Sequence, residues 1–254
     1  MKPVYGSRAI WSWIFYDFAS SPFTTLVITF VYATYFTQVI APDPITGTVL
    51  WSRAIAITAL IVAICSPILG ALADRGGYRK KFVLFFTLVC VVATAGLYQI
   101  LPGQIAAALT LIIVANIAYE FGSVFYNAFL PDLAPPERVG SISGYGWGVG
   151  YIGGFLALVL VLVTLIQPES PWFGFSTEND EHIRATNLIV SGWYFIFTLP
   201  FLLWVSEDKS MVSGSGKILS DTILQLRRTY AEVRRFKEIA RFLIARFVYN
   251  NGLV

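Results

Sequence analysis

An all-helical, polytopic membrane fold is what this sequence predicts, and three observations carry it. Of the 254 residues 56% are hydrophobic and 13% charged, with a mean hydropathy of +0.68. Soluble domains carry about 25% charged residues, and one soluble core could not absorb six long apolar runs. The runs also have membrane length: residues 54–73 and 82–101 are each 20 long, enough at about 1.5 Å per residue to cross a hydrocarbon layer about 30 Å thick. Finally, the basic residues keep to one side. With the runs numbered as six spans, fourteen of the 18 Lys/Arg fall in segments on one face and only Arg184 in the loops of the other, which places the N-terminus and the segment after span six in the cytoplasm.

Span one covers 11–40, with Trp11 and Trp13 at the cytoplasmic boundary and Gln38 near the opposite one. It is longer than a bilayer is thick, so tilt or extension beyond the lipid is expected. Pro22 is placed to kink it and free a carbonyl. Lys2 and Arg8 precede this run as they would in a signal peptide, but the run outlasts an h-region of about 7–15 residues and contains Asp17, so a retained first span is expected. After an outer turn at 41–47, span two begins near Val49 or Arg53 and carries Pro67. Span three, 82–101, is the least polar and is expected to rest against lipid or simple core; Pro102-Gly103 closes a tight outer turn. Span four, 104–130, contains Asn116, Glu120 and Asn127, then exits toward Pro135-Pro136, which stop the helix.

Span five, 141–166, opens with two interleaved glycine series, 140/144/148 and 146/150/154. Such series make smooth faces that another helix backbone can approach, so Gly144, Gly148, Gly150 and Gly154 are assigned to helix packing. In water this much glycine would undermine a helix, whereas in lipid an unpaired backbone is too costly for it to unravel. An acidic outer loop, 167–184, leads to span six, 185–205, which ends with Trp204. Cys65 lies nine residues before Asp74 and Cys90 nine after Lys81, on either side of the charged hinge between spans two and three. They are expected at similar depth on neighbouring helices, as small core residues without a redox role.

That hinge, Gly70 to Lys81, is the only strongly charged, glycine-rich stretch in the first 130 residues. Gly70-x-x-x-Asp74-Arg75-x-Gly77, followed by Arg79 and Lys80, resembles the signature loop between the second and third helices of the major facilitator superfamily, although Tyr78 inserts one residue before the basic pair. Asp74, near a helix end, is expected to pair with Arg75, Arg79, Arg138 or the exit of a neighbouring span and so to stabilise an inner gate. Three further stretches narrow the resemblance: Tyr16-Asp17-Phe18-Ala19-Ser20-Ser21, the run from Asn127 through Pro131-Asp132 to Pro135, and the glycine-rich start of span five. Together they resemble the UMF1 branch, the vacuole-effluxer-like transporters related to autophagy protein 22. The resemblance implies about twelve helices in two six-helix halves, spans one and four lining a central cavity, and small solutes, amino acids among them, as cargo. It also implies an acidic residue near Asn251, where an amide stands here.

Asp17 and Glu120 are ionisable groups inside predicted spans, where charge is costly unless hydrated or partnered. They are therefore the candidate substrate or proton sites, with Tyr16, Asn116 and Asn127 offering oriented hydrogen bonds. The structural alternative for each acid is an interhelical hydrogen bond or, for Asp17, an ion pair with a basic loop residue or Arg246. No metal-ligand spacing, catalytic triad or P-loop occurs, since Gly76-Gly77 lacks the Walker pattern, so no cofactor, metal or enzymatic activity is expected. The +3 charge reads as topology rather than a nucleic-acid footprint.

The domain expectation is a six-span bundle over 1–205, a cytoplasmic linker with an amphipathic helix over 206–238, and the start of a seventh span over 239–254. Phe247-Val248-Tyr249 echoes Ile14-Phe15-Tyr16, as a two-halved transporter would show. The expected protein is thus one half of a secondary transporter with alternating access. Its partners are the lipid bilayer, a small solute, a proton, and a missing second half or another copy. The expected address is the plasma (inner) membrane rather than the vacuolar one. The alternative is a nontransporting membrane interaction or regulatory protein of half length.

Overall fold

The structure, a computed structural model, describes residues 7–74 and 78–207 and, beyond them, positions 238, 241, 242 and 245. Among the described residues there is no strand, and six helices are long and apolar enough to cross a membrane. They are span one Ser7–Ile40, span two Pro44–Gly70, span three Arg79–Gln99, span four Ile105–Leu133, span five Pro136–Ile166 and span six Glu178–Trp204. The linker helix and the seventh span expected over 206–254 fall almost wholly outside the described residues. So do Arg75, Gly77 and the side chain of Asp74. A separate unit at 212–254 contributes one described ion pair, Arg241 Nη1 to Glu238 Oε1 at 2.9 Å.

The six expected spans are all present, and their ends move for local reasons. Span two starts at Pro44, earlier than Val49 or Arg53. Asp43 Oδ1 accepts the Ile45 and Thr46 amides at 3.0 and 2.9 Å, and Pro44 occupies the first helical position, where a missing N–H costs nothing. Hydrogen bonds from the Thr46 hydroxyl and from the Thr46 and Ile45 amides hold the Asp43 carboxyl below the usual carboxylate range. At the next outer turn Gly103 has φ +86°, which a side chain would strain, and its N–H donates to Ile40 O at 3.1 Å. The end of span one is thereby tied to the turn between spans three and four.

Pro22 does what its position predicts. Lacking an N–H, it leaves the Phe18 carbonyl without its helical donor, and Trp193 Nε1 of span six takes that carbonyl at 3.1 Å. Beyond Pro22, span one continues as π-helix over Phe23–Phe30, an irregularity of the kind that accumulates at functional sites.

Span one packs against spans five and six, span three against spans four and six, and span two against span four. Spans two and three follow one another in sequence but are not a packed pair. This corrects the expectation for the cysteines: Cys90 is buried in the core and Cys65 is half-buried on a helix that hardly touches span three. Span three exposes Phe85, Leu88 and Val92 and buries Val83 and Cys90 in the core, in line with its expected place against lipid or simple core, and it carries polar contacts besides. Thr87 and Arg79 on it are buried and bonded to other spans.

Candidate functional site

Spans one and four are joined by a reciprocal pair. Trp13 Nε1 donates to Tyr126 O at 3.1 Å, the Tyr126 hydroxyl donates to Trp13 O at 2.9 Å, and the two rings stack at 4.6 Å. Both residues are almost wholly buried, so four polar groups that would be costly in hydrocarbon are matched on the spot. One turn further along span one, Asp17 lies beside the Tyr126 hydroxyl.

On its other side span one meets the glycines of span five. A Cβ built on Gly146 would stand 2.5 Å from Asp17 Oδ2, one on Gly150 2.7 Å from Ser21 Oγ, and one on Gly154 2.6 Å from Thr25 Oγ1. The 146/150/154 series therefore accommodates a polar strip, Asp17, Ser21 and Thr25, which recurs every four residues along one face of span one. Gly144 and Gly148 meet nothing within 4 Å. Of the four glycines assigned to packing, Gly150 and Gly154 thus contact a neighbour within this chain, and the series containing Gly144 and Gly148 is turned away from span one.

Between spans one, four and five lies a cavity of about 460 Å³. It is lined by Asp17, Ser21, Thr24 and Thr25 from span one, Tyr119, Glu120, Ser123 and Asn127 from span four, and Ser143, Trp147 and Tyr151 from span five, with Trp13 and Tyr126 at the junction. Asp17 and Glu120 are the charged side chains in this lining. Among the described residues no Lys, Arg or His forms an ion pair with either.

The structure brings together three of the five candidate binding residues: Asp17, Glu120 and Asn127. Asn127 is exposed, and its amide nitrogen donates to Ser123 O of its own helix at 2.8 Å. Tyr16 and Asn116 do not line the cavity. Tyr16 points one helical position away into the core, where its hydroxyl bonds Thr87 Oγ1 and the Tyr194 hydroxyl, both at 2.9 Å; Asn116 is buried elsewhere on span four. Replacing Tyr16 with Phe is accordingly expected to lower unfolding stability by about 1 kcal/mol and to leave solute affinity unchanged. Thermal unfolding and a binding titration on the same preparation check both halves of that statement.

At the end of the bundle where the hinge lies, Arg79 forms a clasp. Its guanidinium donates to Ala128 O at 2.7 Å, pairs with Asp132 at 2.7 Å and Glu207 at 3.5 Å, and covers the Phe129 ring at 4.8 Å. Glu207 also accepts the Arg79 and Lys80 amides at 2.7 and 3.4 Å, so it caps the start of span three, while Lys80 Nζ reaches Val205 O at 2.6 Å. Within the signature loop Arg79 contacts the exit of span four, Gly70 has open space around it, and the expectation for Asp74 lies outside the described side chains. At the opposite end Arg184 donates to Tyr98 O at 2.7 Å and the Tyr98 hydroxyl to Glu181 at 2.6 Å, closing spans three and six there too.

A family profile described as "Vacuole effluxer Atg22 like" matches residues 45–254. The chain belongs to this family. Among Atg22-like relatives, it is 28% identical to an uncharacterized MFS-type transporter, YxiO, of Bacillus subtilis over 95% of this chain and 56% of that protein. It is 24% identical to autophagy-related protein 22 of Coccidioides immitis over 78% of this chain and 42% of the relative. An uncharacterized protein of Aquifex aeolicus is 31% identical over 47% of this chain and 31% of its own length. The chain spans about half the length of the curated relatives it matches. No solved structure matches it.

The Atg22-like chain is therefore a multi-pass membrane protein of a transporter and effluxer family, and its cavity has parts that its sequence left unread. Ser21 and Thr25 follow Asp17 in successive steps of four, and Trp147 and Tyr151 are four apart. That helical periodicity was the available signal for both rows.

Proposed function

We propose that the cavity between spans one, four and five is the solute site of a secondary transporter, which works by alternating access together with a second six-helix unit. That unit is either further chain, with 239–254 assigned to its first helix, or another copy. What supports this reading above all is that two carboxylates from different membrane-length helices line one cavity without a basic partner among the described residues. Such a charge is expensive in a bilayer and is kept where a solute, ion or proton uses it. Glu120 and Asp17 are assigned as the proton-coupling groups, and the cargo as a small solute. The basic side of the bundle is assigned to the cytoplasm and the address to the plasma (inner) membrane. The Arg79 clasp fits the inner end, where it would hold spans three, four and six as one body while the halves rock.

Glu120→Gln, introduced into the chain joined to its second half and reconstituted in proteoliposomes, tests this. Uptake driven by an imposed proton gradient is expected to fall at least about tenfold, the consequence of about 1.4 kcal/mol in binding or barrier. Unchanged rate, pH profile and affinity would remove Glu120 from the mechanism.

A further inference from the structure

We infer that the cavity selects organic cations, reading an ammonium group between Asp17 and Glu120 on one side and the aromatic faces of span five on the other. The inference rests on the reading of this cavity as a solute site and adds the chemistry of the solute. Four observations carry it. The charges in the lining are both negative, with no basic side chain among the lining residues. They come from separate spans, so a bound cation would be approached from two walls. The third wall supplies Trp147 and Tyr151, 66% and 71% exposed, with ring centroids 6.2 Å apart and tilted by 55°. By contrast Trp13 and Tyr126 stack on each other, so the rings with uncommitted faces are those on the rim.

Aromatic faces carry partial negative charge and attract ammonium groups, quaternary ones included, most strongly when desolvated. Carboxylates do the same at longer range, the more strongly the lower the surrounding dielectric constant. Acids and aromatic faces thus favour one sign of solute. A neutral isostere would leave the carboxylates uncompensated, and a solute carboxylate placed here would meet two like charges. The hydroxyls of Ser21, Thr25 and Ser123 can serve donors or acceptors on the solute body, so they do not oppose that choice. The cavity volume of about 460 Å³ lies in the range of small-ligand pockets, about 300–1,000 Å³.

The test is a binding titration on the full purified chain in detergent, followed by tryptophan fluorescence. Its three probes differ in charge: choline, its neutral carbon isostere 3,3-dimethylbutan-1-ol, and glycine betaine, which adds a carboxylate. Choline is expected to bind at least about tenfold more tightly than either of the others. Trp147→Leu and Glu120→Gln are each expected to weaken choline by about fivefold or more, and to narrow its advantage over the isostere. Trp147 is exposed on the rim, so its replacement spares the fold. Equal binding of all three probes, or no choline binding at all, would overturn the inference. The same three solutes offered to the joined halves in proteoliposomes separate the two readings. Glu120-dependent uptake of other solutes that choline fails to inhibit would defeat the cation class and leave transport standing; choline binding without uptake of any solute would do the reverse.

Discussion

Arg79→Ala is expected to cost about 3–5 kcal/mol of unfolding free energy, the usual price of removing one partner from a buried ion pair. The magnitude follows from what is left behind. Arg79 and Glu207 have side chains only 9% exposed, and the guanidinium serves Ala128 O, Asp132 and Glu207 at once. Without it the Glu207 carboxylate keeps, among the described residues, the Arg79 and Lys80 amides, and the Ala128 carbonyl loses this donor. Arg79→Lys should recover part of the loss, since a point ammonium keeps the charge but cannot direct separate N–H groups at three acceptors. Asp132→Asn should cost less than either, about 1 kcal/mol or below, because Asp132 is 38% exposed and water screens its half of the pair. Thermal unfolding in detergent, followed by tryptophan fluorescence, gives the order. If Arg79→Ala unfolded like the wild type, spans three, four and six would not be held by this residue.

The fold was legible because lipid makes the code simple: length, apolarity and the side on which Arg and Lys fall decide spans and their alternation. Helix ends were less legible, since span two begins where Asp43 and Pro44 cap it rather than where the hydrophobic run becomes continuous. The cavity was half legible. An acid inside an apolar run announces itself by its cost, which is how Asp17 and Glu120 could be found, whereas a tyrosine does not. Tyr16 and Asp17 are neighbours on span one, yet only Asp17 lines the space, and one step of about 100° around a helix makes that difference. Trp147 and Tyr151 were missed because an aromatic row on a membrane helix reads equally well as lipid contact. Helix adjacency was the least legible feature: nothing in the chain says that span two packs on span four rather than on span three, its neighbour in sequence.

Gly153→Ala should be the most damaging alanine change among the glycines of span five, and Gly144→Ala, nine residues away on the same helix, should do no harm. A Cβ at position 153 would lie 2.5 Å from Phe18 O and 2.9 Å from Phe18 Cα. Both are backbone atoms, so no rotamer change relieves the contact and spans one and five must separate. Overpacking of this kind costs about 1–3 kcal/mol. Here it also displaces the carbonyl that Pro22 leaves free and Trp193 holds. At Gly150 the nearest atom is Ser21 Oγ at 2.7 Å, which can rotate away, so Gly150→Ala should fall between the two. At Gly144 nothing lies within 4 Å, and an alanine there should stabilise the helix by about 0.5–1 kcal/mol through the backbone entropy that glycine loses on folding. Unfolding temperatures of the three variants of this chain should therefore fall in the order 144, 150, 153. Equal values for positions 144 and 153 would mean that span five does not present its 146/150/154 side to span one. The cavity, whose third wall depends on that rotation of span five, would then have to be redrawn.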